Sequence, residues 1–223
     1  MNEMEIDNFP STQLARKPTE EILNLHHHLI PLSVKKTASA GGIIDNYIEG
    51  KYHVVLITKG DVTVCRCKDN IALGTALAPT VLGIVDACAD VFETGYTTES
   101  YIISGTECEY YSVPSDLFVR KIQELGLWRD LTNLLSYWIV RMASRDRDLV
   151  GQDAYSKIRT LLLELWSFPE NIRLSVNTPS FIQQRTGLSR SRIMQVLSEL
   201  KSGEYIKIMR GRLLDLKRLP ASF

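Results

Sequence analysis

The spacing of apolar and polar residues changes twice along the chain. Thr19–His28, TEEILNLHHH, has acidic residues in its first turn and reads as a short helix. From Leu29 to Pro114 the pattern shortens into β-branched, aromatic and alternating segments divided by Gly, Asp, Asn and Pro. LSVKKTA, GIIDNYI, YHVVLIT, DVTVCRC, TALAPTVLGIV, TTESYIISG and CEYYSVP are the predicted strands. Lys59-Gly60-Asp61 is expected to join YHVVLIT and DVTVCRC as a tight hairpin. Many short strands with frequent turns and no βαβ rhythm predict an antiparallel sandwich or barrel.

From Ser115 onward the period becomes helical. SDLFVRKIQEL forms one helix, interrupted by Gly126. Leu127, Leu131, Leu134, Trp138 and Met142 then recur at spacings of three and four, with Leu135 and Ile139 widening the stripe. A helix of about 20 residues with this seam is expected to pair with a second copy of itself; packing on its own barrel is the alternative. Val150-Gly151-Gln152-Asp153 reads as a hinge. Asp153 would cap AYSKIRTLLLELWSF, with Ile158, Leu161, Leu162, Leu165 and Trp166 facing inward.

Two short helices meeting at a tight turn follow in TPSFIQQRTGLSRSRIMQVLSELK, Thr178 to Lys201. Thr178 reads as an N-cap with Pro179 at the first helical position, and Gly187 ends the first helix. Ser189 caps the second, whose residues Ile193, Val196, Leu197 and Leu200 share one face. Ser191, Gln195 and Ser198 face away, and Arg190 and Arg192 occupy the first turn. That end would meet base edges and phosphates in a helix-turn-helix; an ordinary packed helix pair with a solvated basic face has the same spacing. Glu204–Met209 and Leu213–Leu216 are strand-like about Arg210-Gly211-Arg212, the layout of a wing behind a reading helix.

Composition sharpens this division. The formal net charge of the 223 residues is zero, yet residues 151–223 hold 12 Lys and Arg against 6 Asp and Glu, and residues 1–150 hold 14 against 20. An acidic sensing or assembly region joined to a basic nucleic-acid-binding one fits that asymmetry. No apolar run approaches the roughly 20 residues that cross a bilayer, and the acidic start MNEMEIDNFPST, in a polar leader over residues 1–18, lacks the marks of a signal peptide. A cytoplasmic protein without a membrane partner is expected.

The cysteines, Cys65, Cys67, Cys88 and Cys108, are too scattered for a disulfide framework. Cys65 and Cys67 would share one face of a strand at a spacing that fits neither zinc pairs nor a redox C-x-x-C. Consecutive His26, His27 and His28 point about 100° apart on a helix and cannot converge on one metal unaided. No metal or cofactor is expected.

The order of parts from about residue 20 to 220 resembles the bacterial transcription regulators typified by the catabolite activator protein and the fumarate-nitrate reduction regulator. LITKGDVTV, Leu56 to Val64, looks like the family's β-roll hairpin. DAYSKIRTLLLEL followed by TPSFIQQRTGLSRSRIMQVLSELKSGEYI looks like its hinge Asp, helix-turn-helix and wing entry. The resemblance implies an α+β chain: a cyclic-nucleotide-binding-like antiparallel β-roll (19–114), a long dimerisation helix (115–149) and a C-terminal winged helix-turn-helix (150–223). It further implies a cytoplasmic, non-enzymatic homodimer that binds double-stranded DNA sequence-specifically, with RNA polymerase as a further candidate partner. Arg190, Ser191 and Gln195 would contact bases. Ser189, Thr178, Arg192, Lys201, Arg210 and Arg212 would contact the backbone.

Ser191 and Gln195 stand where the family often has an acid and an arginine, so a different sequence preference is expected. Thr186 stands where a small apolar residue is usual, and its hydroxyl needs a backbone partner if buried. The nucleotide pocket departs further. The family's Gly-Glu and Arg-Ser (or Arg-Thr) pairs are missing from LGIVDACADVFETGYTTESYI, and no Arg or Lys occurs between Lys68 and Arg120. Asp86, Asp90 and Glu93 would repel a cyclic phosphate, so response to cyclic nucleotides is not expected. The cysteines do not form an iron–sulfur set either. A redox- or small-molecule receptor around Cys88 is the alternative reading. A cupin-like metal enzyme would need several His ligands in the barrel, where only His53 occurs.

Overall fold

The computed structural model describes residues 16–221; most of the predicted leader lies outside them. The chain divides into two compact units. One takes the residues up to Val64 together with Gly74–Ser144, the other Cys65–Leu73 together with the chain from Arg145 onward.

In order, the first part of the chain forms α1 (Thr19–Leu29), β1 (Val34–Ala38), β2 (Ile43–Ile44), β3 (Tyr47–Ile48), β4 (Lys51–Lys59), β5 (Asp61–Arg66), β6 (Ala72–Leu77), β7 (Thr80–Leu82), α2 (Ile84–Val91), β8 (Ser100–Ser104), β9 (Cys108–Pro114), α3 (Ser115–Glu124) and α4 (Trp128–Leu149). One antiparallel sheet runs β1-β9-β4-β3, with β7 also on β4; a second runs β2-β8-β5-β6. Strand β4 shows why the segment VVLI is continuously apolar rather than alternating. Val55 and Ile57 pack in a cluster with Ile44, Val62 and Ile102 of the second sheet, while Val54 and Leu56 pack with α1, α2 and α3. Both faces of the strand are buried, so every position is apolar.

The expected hairpin at Lys59-Gly60-Asp61 is not one. Strand β4 belongs to the first sheet and β5 to the second, so the chain changes sheets at Gly60 instead of folding back on β4. TALAPTVLGIV is likewise not one strand: it yields β6, β7 and the start of α2. The expected common face of Cys65 and Cys67 also fails. Cys65 is buried at the end of β5, and Cys67 is exposed in the turn beyond it.

On α1, the His27 and His28 rings meet edge-on with centroids 5.0 Å apart, while His26 turns inward. His26 is buried with its Nε2 3.1 Å from the Thr80 carbonyl oxygen. Burial pushes this ring below its ordinary 6.5, the Thr80 carbonyl opposes that, and Lys17 adds to it. The folded chain therefore favours the neutral ring, and the resulting stability is present above about pH 6.5 and fades as the pH falls toward the lowered folded value. Thermal unfolding followed between pH 5 and 7.5 should show this loss in the unaltered chain and a flatter profile in His26→Gln.

Helix α4 corrects the expected dimer seam. Leu127, Leu131 and Leu134 are buried inside their own chain, in one cluster with Ile22, Leu25, Phe118 and Ile122, and Trp138 packs on the same cluster. These residues are unavailable to a second copy. The large apolar side chains of α4 that remain open are Ile139 at 65% exposure, Met142 at 62% and Val140 at 47%.

The last part of the chain forms α5 (Ala154–Trp166), α6 (Glu170–Ser175), α7 (Thr178–Thr186), α8 (Arg190–Ser202), β10 (Ile206–Met209) and β11 (Arg212–Leu216). The Asp153 carboxylate accepts from the Ser156 backbone N–H at 2.8 Å and caps α5. Ile158, Leu161, Leu162 and Leu165 face the core, where they meet Phe181, Ile182, Ile193, Val196, Leu197 and Leu200. The short helix α6 leads from α5 into α7; Pro169 stands at its N-cap, where a missing N–H is harmless.

Candidate nucleic-acid interface

Helices α7 and α8 are joined by Gly187 and Leu188, with Ser189 as the cap of α8. Gly187 has φ +68°, a left-handed conformation that ends α7 and sends its N–H to the Gln183 carbonyl at 3.0 Å. The Thr186 hydroxyl finds the backbone partner it needs. It donates to the Ile182 carbonyl at 2.8 Å and accepts from the Leu188 N–H at 3.2 Å, so the turn is fixed from both sides.

The Ser189 hydroxyl accepts from the Arg192 N–H at 3.3 Å, as predicted for the cap of α8. Ile193, Val196, Leu197 and Leu200 hold one face of this helix in the core. Ser191, Gln195 and Ser198 lie on the exposed face, and Arg190, Arg192, Lys201 and Met194 are also exposed. Polar side chains link along this surface: Ser189 to Ser191 at 3.1 Å, Arg192 Nη1 donating to Gln195 Oε1 at 2.9 Å, and Gln195 Nε2 donating to Glu199 Oε1 at 3.1 Å. The helix thus offers cations at its positive N-terminal end and an amide and hydroxyls beyond them, the chemistry that meets phosphates and base edges.

Thr178 is placed differently from the expectation. Asn177, not Thr178, caps α7, its side-chain oxygen accepting from the Ser180 N–H at 3.1 Å. Thr178 is 0% exposed, and its hydroxyl has no hydrogen-bond partner among the described residues. Its backbone N–H instead donates to the Gly211 carbonyl at 2.7 Å and ties the start of α7 to the wing. The sequence offered a signal for this, since Asn177 is as good a cap as Thr178 and lies one residue earlier.

The wing is an antiparallel pair with Met209 opposite Arg212, so Arg210 and Gly211 alone form the turn, with φ +50° and +78°. Two left-handed residues suit a right-twisted two-residue hairpin. The left-handed φ of +78° at Gly211 is the conformation that glycine adopts without strain, and a Cβ there would also displace the Asn177 side chain. Arg210 is exposed at the tip. Arg212 belongs to β11, is half-buried, and donates to the Ser175 carbonyl, so it braces the wing as well as presenting charge. Sequence reading missed Asn177, Met194 and Glu199 at this surface; only Asn177 left a recognisable mark.

The helix aligned by the resemblance with the phosphate-cradling segment is α2. Asp86 is buried and accepts from the Thr98 N–H at 2.6 Å and the Thr98 hydroxyl at 2.8 Å, while Asp90 accepts from the Ser115 hydroxyl at 2.6 Å. Cys88 is half-buried on the same helix, and burial pushes its thiol above the ordinary value. Among the described residues no three His, Cys, Asp or Glu side chains are grouped to hold a metal, and no helix is long and apolar enough to cross a membrane.

Residues 154–221 match the family model described as winged helix-turn-helix DNA binding. The inhibitor of hydrogen peroxide resistance of Escherichia coli K12 is 30% identical over 168 residues, covering 75% of this chain and 78% of that protein. Among solved structures, the c-di-GMP responsive global regulator CLP of Xanthomonas campestris superposes with a TM-score of 0.72 at 16% identity, over 88% of this chain and 100% of that one. A Crp/Fnr-family transcriptional regulator of Eubacterium rectale superposes with a TM-score of 0.66 at 14% identity, over 87% and 90% of the two chains. The chain therefore belongs to the family of the inhibitor of hydrogen peroxide resistance, built on the Crp/Fnr regulator fold and ending in a winged helix-turn-helix DNA-binding domain.

Proposed function

We propose that the chain is a sequence-specific transcription regulator that acts as a homodimer and does not answer to cyclic nucleotides. The observation that carries this reading is α8: a buried apolar face, a capped N-terminus, and an exposed face of Arg190, Ser191 and Gln195 ready for the major groove. Ser189, Arg192, Lys201 and Arg210 would hold the phosphate backbone, with Arg212 contributing from the base of the wing. Thr178 would act through its backbone tie to the wing rather than through its side chain.

The dimer would form along the open side of α4, through Ile139 and Met142 with the half-buried Leu135. These residues recur at spacings of four and three, the pattern of a helix-pair seam. Two reading helices would then meet half-sites about one helical turn apart. The name of the relatives directs the search for target promoters toward genes that govern resistance to hydrogen peroxide. Selection of bound duplexes from a random pool by the full-length protein tests the proposal; a recurrent motif of two related half-sites is the expected outcome, and recovery of unselected sequence rejects it.

For the sensor, the internal partners of α2 support ligand independence: Asp86 is bonded through both carboxylate oxygens to Thr98, Asp90 accepts from the Ser115 hydroxyl, and the segment between Lys68 and Arg120 supplies no arginine or lysine for a cyclic phosphate. Burial raises the pKa of the Cys88 thiol, which disfavours the thiolate that reacts with peroxide. DNA affinity titrated with and without peroxide should therefore be the same for the unaltered chain and for Cys88→Ser. A peroxide response abolished by Cys88→Ser would establish the redox-receptor reading instead.

A further inference from the structure

Glu199 is not among the side chains expected to touch a base, yet it ends a directed chain of hydrogen bonds on the reading helix. Arg192 Nη1 donates to Gln195 Oε1 at 2.9 Å, and Gln195 Nε2 donates to Glu199 Oε1 at 3.1 Å. Arg192, Gln195 and Glu199 are separated by three and four residues and lie side by side on one exposed flank of α8.

A carboxamide has an acceptor end and a donor end of nearly equal shape, and its neighbours decide which way it points. Here both neighbours decide alike. Arginine can only donate, so it holds the oxygen; the carboxylate can only accept, so it holds the nitrogen. Turning the amide over would set its N–H against the guanidinium and its oxygen against the carboxylate, two repulsive pairings in place of two attractive ones.

We propose that Glu199 is a positioning residue for DNA reading, fixing the Gln195 amide with its oxygen toward the N-terminal end of α8 so that it selects adenine in one orientation. This rests on the assignment of Gln195 as a base-reading residue. One Nε2–H and one lone pair of Oε1 remain unused by the two neighbours. Adenine offers the match in the major groove, N7 to accept and N6–H to donate. Guanine presents two acceptors at the same edge, and an amide locked in this orientation has one donor to give there. Glu199 also lays a negative charge beside the phosphates, which weakens binding to DNA of every sequence.

The test uses the full chain and duplexes selected from a random pool, with affinities measured at one salt concentration. The unaltered protein should prefer adenine at one position in each half-site, and Gln195→Ala should lose that preference. Glu199→Gln keeps the length of the side chain but can accept or donate, so it no longer selects an orientation and leaves the amide held by Arg192 alone. It should reduce discrimination at that position by on the order of tenfold, leave the other positions unchanged, and tighten binding to random DNA. In the Gln195→Ala background Glu199→Gln should no longer alter selectivity anywhere. A uniform rise in affinity with full retention of the adenine preference would make Glu199 a bystander charge and overturn the inference. Failure of the unaltered chain to select any motif would instead overturn the DNA-reading assignment beneath it, and the two failures are told apart by that control.

Discussion

Truncating Leu134 to alanine is expected to lower the stability of the folded chain by about 2–5 kcal/mol, enough to remove much of the stability of an ordinary domain. Leu134 is fully buried against residues from α1, α3 and α4, so its removal takes apolar area from the core and leaves a cavity that its neighbours fill only in part. Ile139 lies on the same helix and belongs to the same apolar stripe, yet it is 65% exposed. If the proposed dimer forms through α4, Ile139→Asp should give a folded chain with native circular dichroism and half the mass of the unaltered protein by light scattering. The urea midpoint of Leu134→Ala, read at fixed protein concentration, should fall without a change in slope. The opposite pattern, a well-folded Leu134→Ala that no longer dimerises, would restore the seam that sequence spacing suggests.

The second large effect concerns DNA. Arg190→Ala is expected to cost about 1–3 kcal/mol of binding to the selected site and to relax the preference at one base, because a forked guanidinium at the start of α8 recognises a base edge through paired hydrogen bonds. Arg210→Ala, at the exposed tip of the wing, should weaken selected and random duplexes by the same factor and make the dependence on salt shallower, as expected for a cation that meets only phosphate. Arg212→Ala should also weaken all sequences alike, with some loss of stability from its bond to the Ser175 carbonyl. Fluorescence anisotropy of labelled duplexes across a salt series measures all three. Equal losses on specific and random DNA for Arg190→Ala would remove it from the base-reading set.

Both predictions turn on where sequence reading succeeds and where it cannot. The helix-turn-helix was legible because its signals are local. A capping serine, a glycine that tolerates the left-handed region, apolar residues at helical spacing and a strand pair about Arg210-Gly211 each act within a few residues. The same holds for the cap at Asp153 and for most of the short strands. The expected hairpin at Lys59–Asp61 failed for the complementary reason. A glycine turn between two apolar segments has the same composition whether the second strand returns to the first or crosses to another sheet, and only the pairing of β5 with β8 and β6 distinguishes the two.

By itself, the sequence determined the order of parts, the polar face of α8, the basic character of the C-terminal part and the absence of a cation between Lys68 and Arg120 that could receive a cyclic phosphate. Tertiary structure alone decided which apolar stripe of α4 is used up inside the chain, that Thr178 is buried while Asn177 caps α7, and that Gln195 is held between Arg192 and Glu199. Periodicity tells which residues share a face. What covers that face depends on contacts between residues far apart in sequence, and a stripe of leucines looks the same whether its partner is a sheet of its own chain or a second copy of itself.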